Sequence, residues 1–166
     1  MENKMVTIKS TINATVVIDS PSNNLRRTWS REGAIQKIPF DVLEVVIYEP
    51  GVEYLFKTGI LYIEDFATKV ALGLEEEGQK PQIQFVDEKR ATEILNWTYA
   101  AFVAELQNYT NEQKKLVAQT AIKIRNNDLK KSQLLTEETG IEVAKAINLA
   151  IQEEQAVALK AKSASK

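Results

Sequence analysis

The sequence contains neither histidine nor cysteine among its 166 residues. Such a chain forms no disulfide bond and has no thiolate nucleophile, no imidazole base and no Cys or His ligand for zinc. Carboxylate pairs or a serine with a basic partner remain as catalytic options. However, Ser30 and Ser132 stand directly beside Arg31 and Lys131, and adjacent side chains point apart on a strand or helix. We therefore predict that the protein is not an enzyme and uses no cofactor.

The sequence also lacks phosphate-binding glycine motifs and long apolar runs. Neither GxGxxG nor GxxxxGK[ST] occurs among its six glycines, so no nucleotide site is predicted. No stretch approaches the roughly 18 apolar residues of a membrane-spanning helix. Near the start of the chain, Lys9 and Ser10 interrupt what would be the apolar core of a secretory signal. We expect a protein that is made and used in a cytoplasm, without a membrane partner.

No excess charge of either sign is present. Lys and Arg number 21 against 23 for Asp and Glu, which gives a net charge of -2. A nearly neutral chain has no general attraction to nucleic acid or acidic membranes, although local basic patches remain open. The acidic runs at 64–65 and 75–77 lack the alternating oxygen ligands and tight glycine turn of a calcium loop, so no metal site is predicted.

The first 74 residues predict a small α+β domain. Val, Ile and Thr dominate residues 6–18, which predicts one strand before a turn-forming segment. Residues 25–38 predict two strands joined at Gly33 as a β-hairpin, which Pro39 ends because it cannot donate to the ladder. The apolar spacing then becomes helical at 41–47, 52–57 and 66–72, with a short buried strand at 60–63.

Residues 75–87 predict an acidic linker that carries glycine and proline. Its last part, 82–86, is compatible either with an extra strand or with extended linker. Residues 88–155 predict a bundle of three or four helices. Residues 156–166, rich in Ala, Lys and Ser, predict a flexible tail.

Two local signals add detail to the predicted bundle. Thr110 followed by Gln113 is the pattern of a capping box, in which each side chain bonds to the main chain of the other residue at a helix start. Thr139 and Gly140 mark a join before the last helix, whose apolar residues continue to Leu149 and Ile151.

Two groups of basic residues are candidate partner-binding surfaces. On a hairpin, residues two apart share a face, so Arg27, Trp29 and Arg31 are expected to project together. Arginine beside an indole suits stacking on a base or binding a phosphate or carboxylate. In the alternative interpretation, Trp29 anchors the hairpin in the core while the arginines form surface ion pairs. The hairpin group comprises Arg26, Arg27, Trp29, Arg31 and Lys37.

The second group lies on the helices of the carboxyl-terminal half. A basic helix face suits an acidic protein surface or a phosphate backbone. The alternative is an ordinary solvated helix surface, because acidic residues are interleaved with the basic ones. The residues assigned to this surface are Lys114, Lys115, Lys123 and Arg125, with Lys130 and Lys131 close by in sequence.

Several short segments of the chain resemble small, functionally undescribed proteins of tailed bacteriophages, including gut phages. The segments are WSREGA at 29–34, IPFDVLE at 38–44, PGVEYLF at 50–56, GILYIED at 59–65, and the Leu135, Thr139 and Gly140 pattern before the last helix. No catalytic residues are attached to this resemblance. It implies a phage setting and, for a compact protein without a catalytic motif, a component of the virion.

Two small domains lie near the size at which burial of apolar surface barely offsets the loss of chain entropy, so docking on each other or on a partner would stabilise them. We therefore expect a non-enzymatic structural and interaction protein. It would be present in the host cytoplasm during assembly and then in the virion, bound in many copies to capsid or head–tail connector subunits. The alternative is a small phage regulator that binds nucleic acid through the hairpin and the basic helix face.

Overall fold

The computed structural model describes residues 4–164 and has the predicted α+β fold, with small sheets followed by a helical region. The strands are β1 (Met5–Ser10), β2 (Val16–Ser20), β3 (Leu25–Trp29), β4 (Ile35–Pro39) and β5 (Leu61–Tyr62), and a 3-10 turn, Pro21–Asn23, joins β2 to β3. The first helices are α1 (Phe40–Val46), α2 (Pro50–Lys57) and α3 (Phe66–Ala71). The helical region contains α4 (Glu88–Leu95), α5 (Tyr99–Leu106), α6 (Asn111–Lys123), α7 (Leu129–Thr139) and α8 (Val143–Ala164).

The prediction of one strand over residues 6–18 is wrong, because this stretch forms two strands in different sheets. β1 is the central strand of an antiparallel sheet of order β4-β1-β5, whereas β2 pairs with β3 in a second sheet. The chain turns at Thr11, whose N–H donates to the Ile60 carbonyl at 3.0 Å and whose hydroxyl donates to the Gly59 carbonyl at 2.7 Å. These bonds to a distant segment end β1, and strand propensity does not detect them.

The predicted hairpin is wrong in its pairing, although both of its strands are present. β3 pairs with β2, and β4 pairs with β1 from Met5 opposite Pro39 to Lys9 opposite Ile35. The two strands contact each other through side chains, since Arg27 Nε donates to the Lys37 carbonyl at 3.0 Å. Non-local ladders therefore replace the local one that the glycine turn suggested.

Two hydrophobic cores lie on either side of the segment 75–87. The first lies beneath the sheets and α1–α3, and the second lies among α4–α8. The helical region has five helices where three or four were expected, because the predicted first helix is interrupted at residues 96–98. Thr98 begins α5 there, and its hydroxyl accepts a hydrogen bond from the Ala101 N–H at 3.4 Å.

The acidic segment 75–87 is attached to both cores. The buried carboxylate of Glu75 accepts hydrogen bonds from the main-chain N–H groups of Gln82 at 3.0 Å and Ile83 at 3.1 Å. Phe85 packs on Tyr62 of β5, with 5.2 Å between the ring centroids, while Val86 is completely buried in the second core. Residues 82–86 form no strand, so of the two alternatives they take the extended form.

The expected flexible tail is instead a continuation of α8. The helix extends to Ala164, and every residue from Ile151 onward is exposed. Residues 165 and 166 lie outside the described part of the chain. Leu149 and Ile151 are exposed, and the last residue of α8 to be buried is Ile147.

The predicted capping box at the start of α6 is confirmed. It also joins the first lobe, which contains the sheets and α1–α3, to the second lobe, which contains α4–α8. Thr110 Oγ1 accepts from the Gln113 N–H at 3.2 Å and donates to the Thr58 carbonyl at the end of α2, at 2.6 Å. Gln113 Oε1 accepts from the Thr110 N–H at 3.0 Å, while its Nε2 donates to the Gln84 carbonyl at 2.6 Å. The buried Gln113 also packs against Gly59, which follows α2.

Replacing Gly59 with alanine tests this joint. Gly59 has a φ of +82°, and an added Cβ would lie 2.5 Å from Gln113 Nε2. We expect Gly59→Ala to lower the free energy of unfolding by roughly 2–4 kcal/mol, from left-handed backbone strain together with disturbed hydrogen bonds. Urea denaturation followed by circular dichroism measures the loss.

Gly140→Ala is the matched control for this variant. Gly140 has a similar φ of +76°, but nothing lies within 4 Å of an added Cβ there. Its loss should therefore be limited to the backbone strain of roughly 1–2 kcal/mol. Equal losses in the two variants would mean that the contact between Gly59 and Gln113 contributes nothing to stability.

Candidate functional site

The structure separates the residues of the predicted hairpin surface. Arg26 is exposed, and its guanidinium lies 3.8 Å from the Asp19 carboxylate. Arg27 is half-buried and donates to the carbonyls of Arg26 and Lys37, so it lies across the junction of β3 and β4. Arg31 and Lys37 are exposed, and neither forms an ion pair with another residue of the range 4–164.

Trp29 cannot belong to a contact surface, because it is completely buried. Its indole Nε1 donates to the Ile8 carbonyl on β1 at 3.0 Å, which links the two sheets. The anchoring interpretation of Trp29 therefore applies, and the assignment of this residue to a partner site is wrong. The rule that places Arg27, Trp29 and Arg31 on one face assumes that the strand continues, whereas β3 ends at Trp29 and Arg31 lies in the following loop.

The basic residues of the helical half are largely neutralised within the chain. Each of the four assigned cations contacts a carboxylate of the same chain. The pairs are Lys114 with Glu138 at 2.9 Å, Lys115 with Glu112 at 3.2 Å, Lys123 with Glu88 at 2.6 Å, and Arg125 with Glu154. Two of these partners, Glu112 and Glu138, are interleaved with the basic residues in sequence, whereas Glu88 and Glu154 come from more distant parts of the chain, and no continuous basic face results among the four cations.

Two of these helical cations also have structural roles. Lys131 is buried, and its ammonium donates to the carbonyls of Leu95, at 2.7 Å, and Trp97 at the end of α4. Arg125 has a left-handed backbone, with a φ of +56°, and its guanidinium donates to the Ile122 and Lys123 carbonyls that end α6. Both side chains complete helix ends, where main-chain carbonyls lack intrahelical partners.

A cleft of about 350 Å³ separates the two lobes beside α6. Its lining includes Ile12 and Ile60 from the first lobe and Lys115, Gln119 and Lys123 from α6. Residues four apart share one helix face, so the two lysines stand on either side of the amide. Both lysines are already paired with carboxylates in the cleft, and a charged ligand would have to displace one of those partners.

Hydrogen bonds to two carboxylates, one at each end of the cleft, join the lobes. At one end, Glu32 of the first lobe accepts a hydrogen bond from the Glu88 N–H, the first residue of α4, at 3.0 Å. Burial raises the pKa of the Glu32 carboxyl, and repulsion from Glu88 and Asp87 raises it further. At the other end, a hydrogen bond from the Tyr54 hydroxyl lowers the pKa of Glu112.

Sequence reasoning missed two accessible features. The first is the exposed second half of α8, whose aliphatic residues were not singled out because helical spacing alone does not show which turns of a helix reach the body of the protein. The second is an open edge of β1, beside a groove of about 360 Å³. No sequence signal marked this edge, because it arises from the non-local pairing of β1 with β4 and β5.

Comparison of the chain with protein-family models, with curated proteins and with solved structures finds no match. Over residues 4–164, no helix has both the length and the apolar composition that crossing a membrane requires. The same residues contain no grouping of three or more carboxylates that could hold a metal ion.

Replacing Glu32 with glutamine tests the charge balance at the lobe junction. Because the folded-state pKa of Glu32 is raised, its protonated form stabilises the fold at low pH, and this contribution is lost as the pH rises through that pKa. Glutamine keeps an oxygen that accepts from the Glu88 N–H, but it never ionises. We therefore expect Glu32→Gln to gain stability relative to the parent, by less than about 1 kcal/mol, between about pH 4 and pH 7.

Urea midpoints of both proteins at the two pH values measure this difference. Glu77→Gln removes an exposed carboxylate elsewhere and serves as the control, for which no such trend is expected. A difference between Glu32→Gln and the parent that shrinks as the pH rises would contradict the assigned direction.

Proposed function

We propose that this chain is a non-enzymatic structural and interaction protein of a bacteriophage particle, bound in many copies to capsid or head–tail subunits. The observation that carries the proposal is the exposed half of α8. From Ile151 to Ala164 no residue of this helix is buried against the rest of the described chain. Four large aliphatic residues, Leu149, Ile151, Val157 and Leu159, are 51, 37, 67 and 67% exposed.

A helix in this situation gains stability from a partner. Fourteen residues at 1.5 Å rise extend about 21 Å, and an isolated helix of this length is marginal in water. Fully burying a leucine or valine side chain contributes about 1.5–3 kcal/mol relative to leaving it in water. On a helix of 3.6 residues per turn, Leu149 and Val157 lie toward one side of α8, and Ile151 and Leu159 lie toward the opposite side. A second protein surface along either side would cover one of these pairs and hold the helix.

The choice of a protein partner over nucleic acid is supported by the ion pairs described above. Lys114, Lys115, Lys123 and Arg125 contact carboxylates of their own chain, so binding a phosphate backbone there would first require breaking those contacts. The phage setting itself depends on the resemblance of short segments to phage proteins. Particle association is therefore the property to measure.

The double variant Val157→Glu with Leu159→Glu tests the role of α8. Both side chains are exposed, so the free energy of unfolding should change little, by about 0.5 kcal/mol or less. Because positions two apart lie on opposite sides of a helix, a contact along either side of α8 would bury one of the two new carboxylates. One buried carboxylate is costly, so the copy number in purified particles should fall at least tenfold, which corresponds to about 1.4 kcal/mol of binding. Quantitative mass spectrometry of purified virions measures the copy number of parent and variant.

Gln152→Glu with Gln155→Glu is the matched control, since it adds the same charge at polar exposed positions of the same helix. Incorporation of the control at parental level, together with loss of the Val157/Leu159 variant, would support a contact through the aliphatic side chains. Absence of the parent protein from particles would contradict its assignment to the virion. A salt-dependent gel shift of DNA or RNA that Arg27→Ala and Arg31→Ala abolish would support the regulator instead.

A further inference from the structure

One edge of β1 is paired along its whole length and the other is not. On the β4 side, the ladder uses the even-numbered residues, as the hydrogen bond from the Phe40 N–H to the Lys4 carbonyl at 2.8 Å illustrates. In an antiparallel strand, the main-chain groups of alternate residues point to opposite edges. The N–H and C=O groups of Met5 and Thr7 therefore point away from β4, toward the side of β5.

β5 covers that second edge at only two residues, Lys9 and Ser10. After Tyr62 the chain leaves the sheet, and no hydrogen bond joins the main-chain groups of Met5 or Thr7 to another residue of the range 4–164. Two donors and two acceptors therefore face an open space at the spacing of a β-ladder.

The open space is the groove of about 360 Å³ between β1 and residues 63–68. Ile63 supplies a buried apolar surface at this groove. Its far side is held in place by Asp65, whose carboxylate accepts from Lys4 Nζ at 3.1 Å and from the Thr68 hydroxyl at 2.5 Å. The groove is therefore bounded by a fixed wall opposite the open main-chain groups of Met5 and Thr7.

The outer face of the sheet next to this groove combines apolar and cationic side chains. Met5 and Ile35 are 46 and 55% exposed. Lys9, whose ammonium lies 5.0 Å from the Phe85 ring, and the exposed Lys37 stand on the same face, and neither forms an ion pair within residues 4–164. The exposed Glu64 also lines the groove, so the two lysines stand against one further carboxylate, and the cationic excess favours an acidic strand.

The lysines do not serve to protect the edge from pairing. Protected edges carry a charged side chain on the open stretch itself. The open stretch of β1 presents Met5 and Thr7, which are uncharged, and the ammonium of the preceding Lys4 is engaged by Asp65. Lys9 lies on the part of β1 that β5 already covers, and Lys37 lies on β4.

We propose that the open edge of β1 binds an extended segment of a partner protein as an added strand, with apolar side chains on the inner face of the sheet, beside Val6 and Ile63, and acidic side chains on the outer face. The inference rests on the proposed function, since it names a second contact surface of an interaction protein. Main-chain hydrogen bonds supply affinity in this binding mode, and alternate side chains supply specificity. The segment recognised here alternates apolar and acidic residues.

A fluorescent peptide that alternates valine and glutamate is the probe, and its valine–lysine counterpart is the control peptide. Anisotropy titrations of the full chain should show at least tenfold tighter binding of the glutamate peptide. Main-chain amide shifts of Met5 and Thr7 in NMR spectra should accompany binding. Absence of binding, or equal binding of the two peptides, would overturn the proposal.

Thr7→Pro tests the main-chain bonds, because it removes an N–H that faces the groove and takes no part in the β4 ladder. We expect at least tenfold weaker binding of the glutamate peptide. Thr7→Val keeps the N–H and should bind as the parent does. Retained binding by a folded Thr7→Pro variant would overturn the proposal.

Lys37→Glu tests the charge of the face and keeps the proposal falsifiable if the proline variant does not fold, since this side chain is exposed. It should weaken binding of the valine–glutamate peptide and strengthen binding of the valine–lysine peptide. Unchanged affinities would contradict an acidic partner. A dimer of the parent that Thr7→Val keeps and Thr7→Pro dissociates would make a second copy the occupant and overturn the partner assignment. Failure of these tests leaves particle association through α8 standing, whereas peptide binding by a chain absent from particles would contradict only the assignment to the virion.

Discussion

The fold depends most directly on the start of α6, where one pair of side chains both begins a helix and joins two lobes. Thr110 and Gln113 satisfy each other's main-chain groups, and each has a further donor left over. Those two donors reach the carbonyls of Thr58 and Gln84, which belong to the end of α2 and to the connecting segment. Buried polar groups must be paired, so moving the lobes apart would leave these groups without partners. Glycine at position 59 makes the close approach sterically acceptable.

Two small cores then behave as one unit, because the segment between them is itself part of both. Leu74 packs on the first core and Val86 lies inside the second. Glu75 folds the connecting segment back on itself, since its carboxylate accepts hydrogen bonds from main-chain N–H groups seven and eight residues later. The acidic segment 75–87, which the sequence predicts as a linker, is thereby an ordered part of the fold. The exposed part of α8 and the open edge of β1 are consequently held in fixed positions on the same body.

Local features of this structure were predictable from sequence, and non-local ones were not. The capping box at Thr110 and the helices at 52–57 and 66–72 depend on residues within a few positions of one another, and all are present within about two residues of the expected bounds. The partners of β3 and β4 depend on contacts with strands elsewhere in the chain, so the glycine turn predicted a hairpin that does not form. The exposure of α8 was equally inaccessible, since apolar spacing is the same whether or not another element covers it.

Ion pairs within the chain limit what the candidate surfaces can bind. Lys114, Lys115, Lys123 and Arg125 are paired with carboxylates of the same chain, whereas Arg31 and Lys37 are exposed and form no ion pair within residues 4–164. The other accessible groups are the aliphatic side chains on α8 and the main-chain groups on β1. Apolar contacts and main-chain hydrogen bonds respond little to ionic strength, in contrast to phosphate binding, which weakens steeply as counterions are added. Binding through α8 should therefore persist at salt concentrations that dissociate a nucleic-acid complex, and only the contribution of Lys9 and Lys37 at the β1 edge should be screened. The salt dependence of a natural complex thus distinguishes which of the two surfaces forms it.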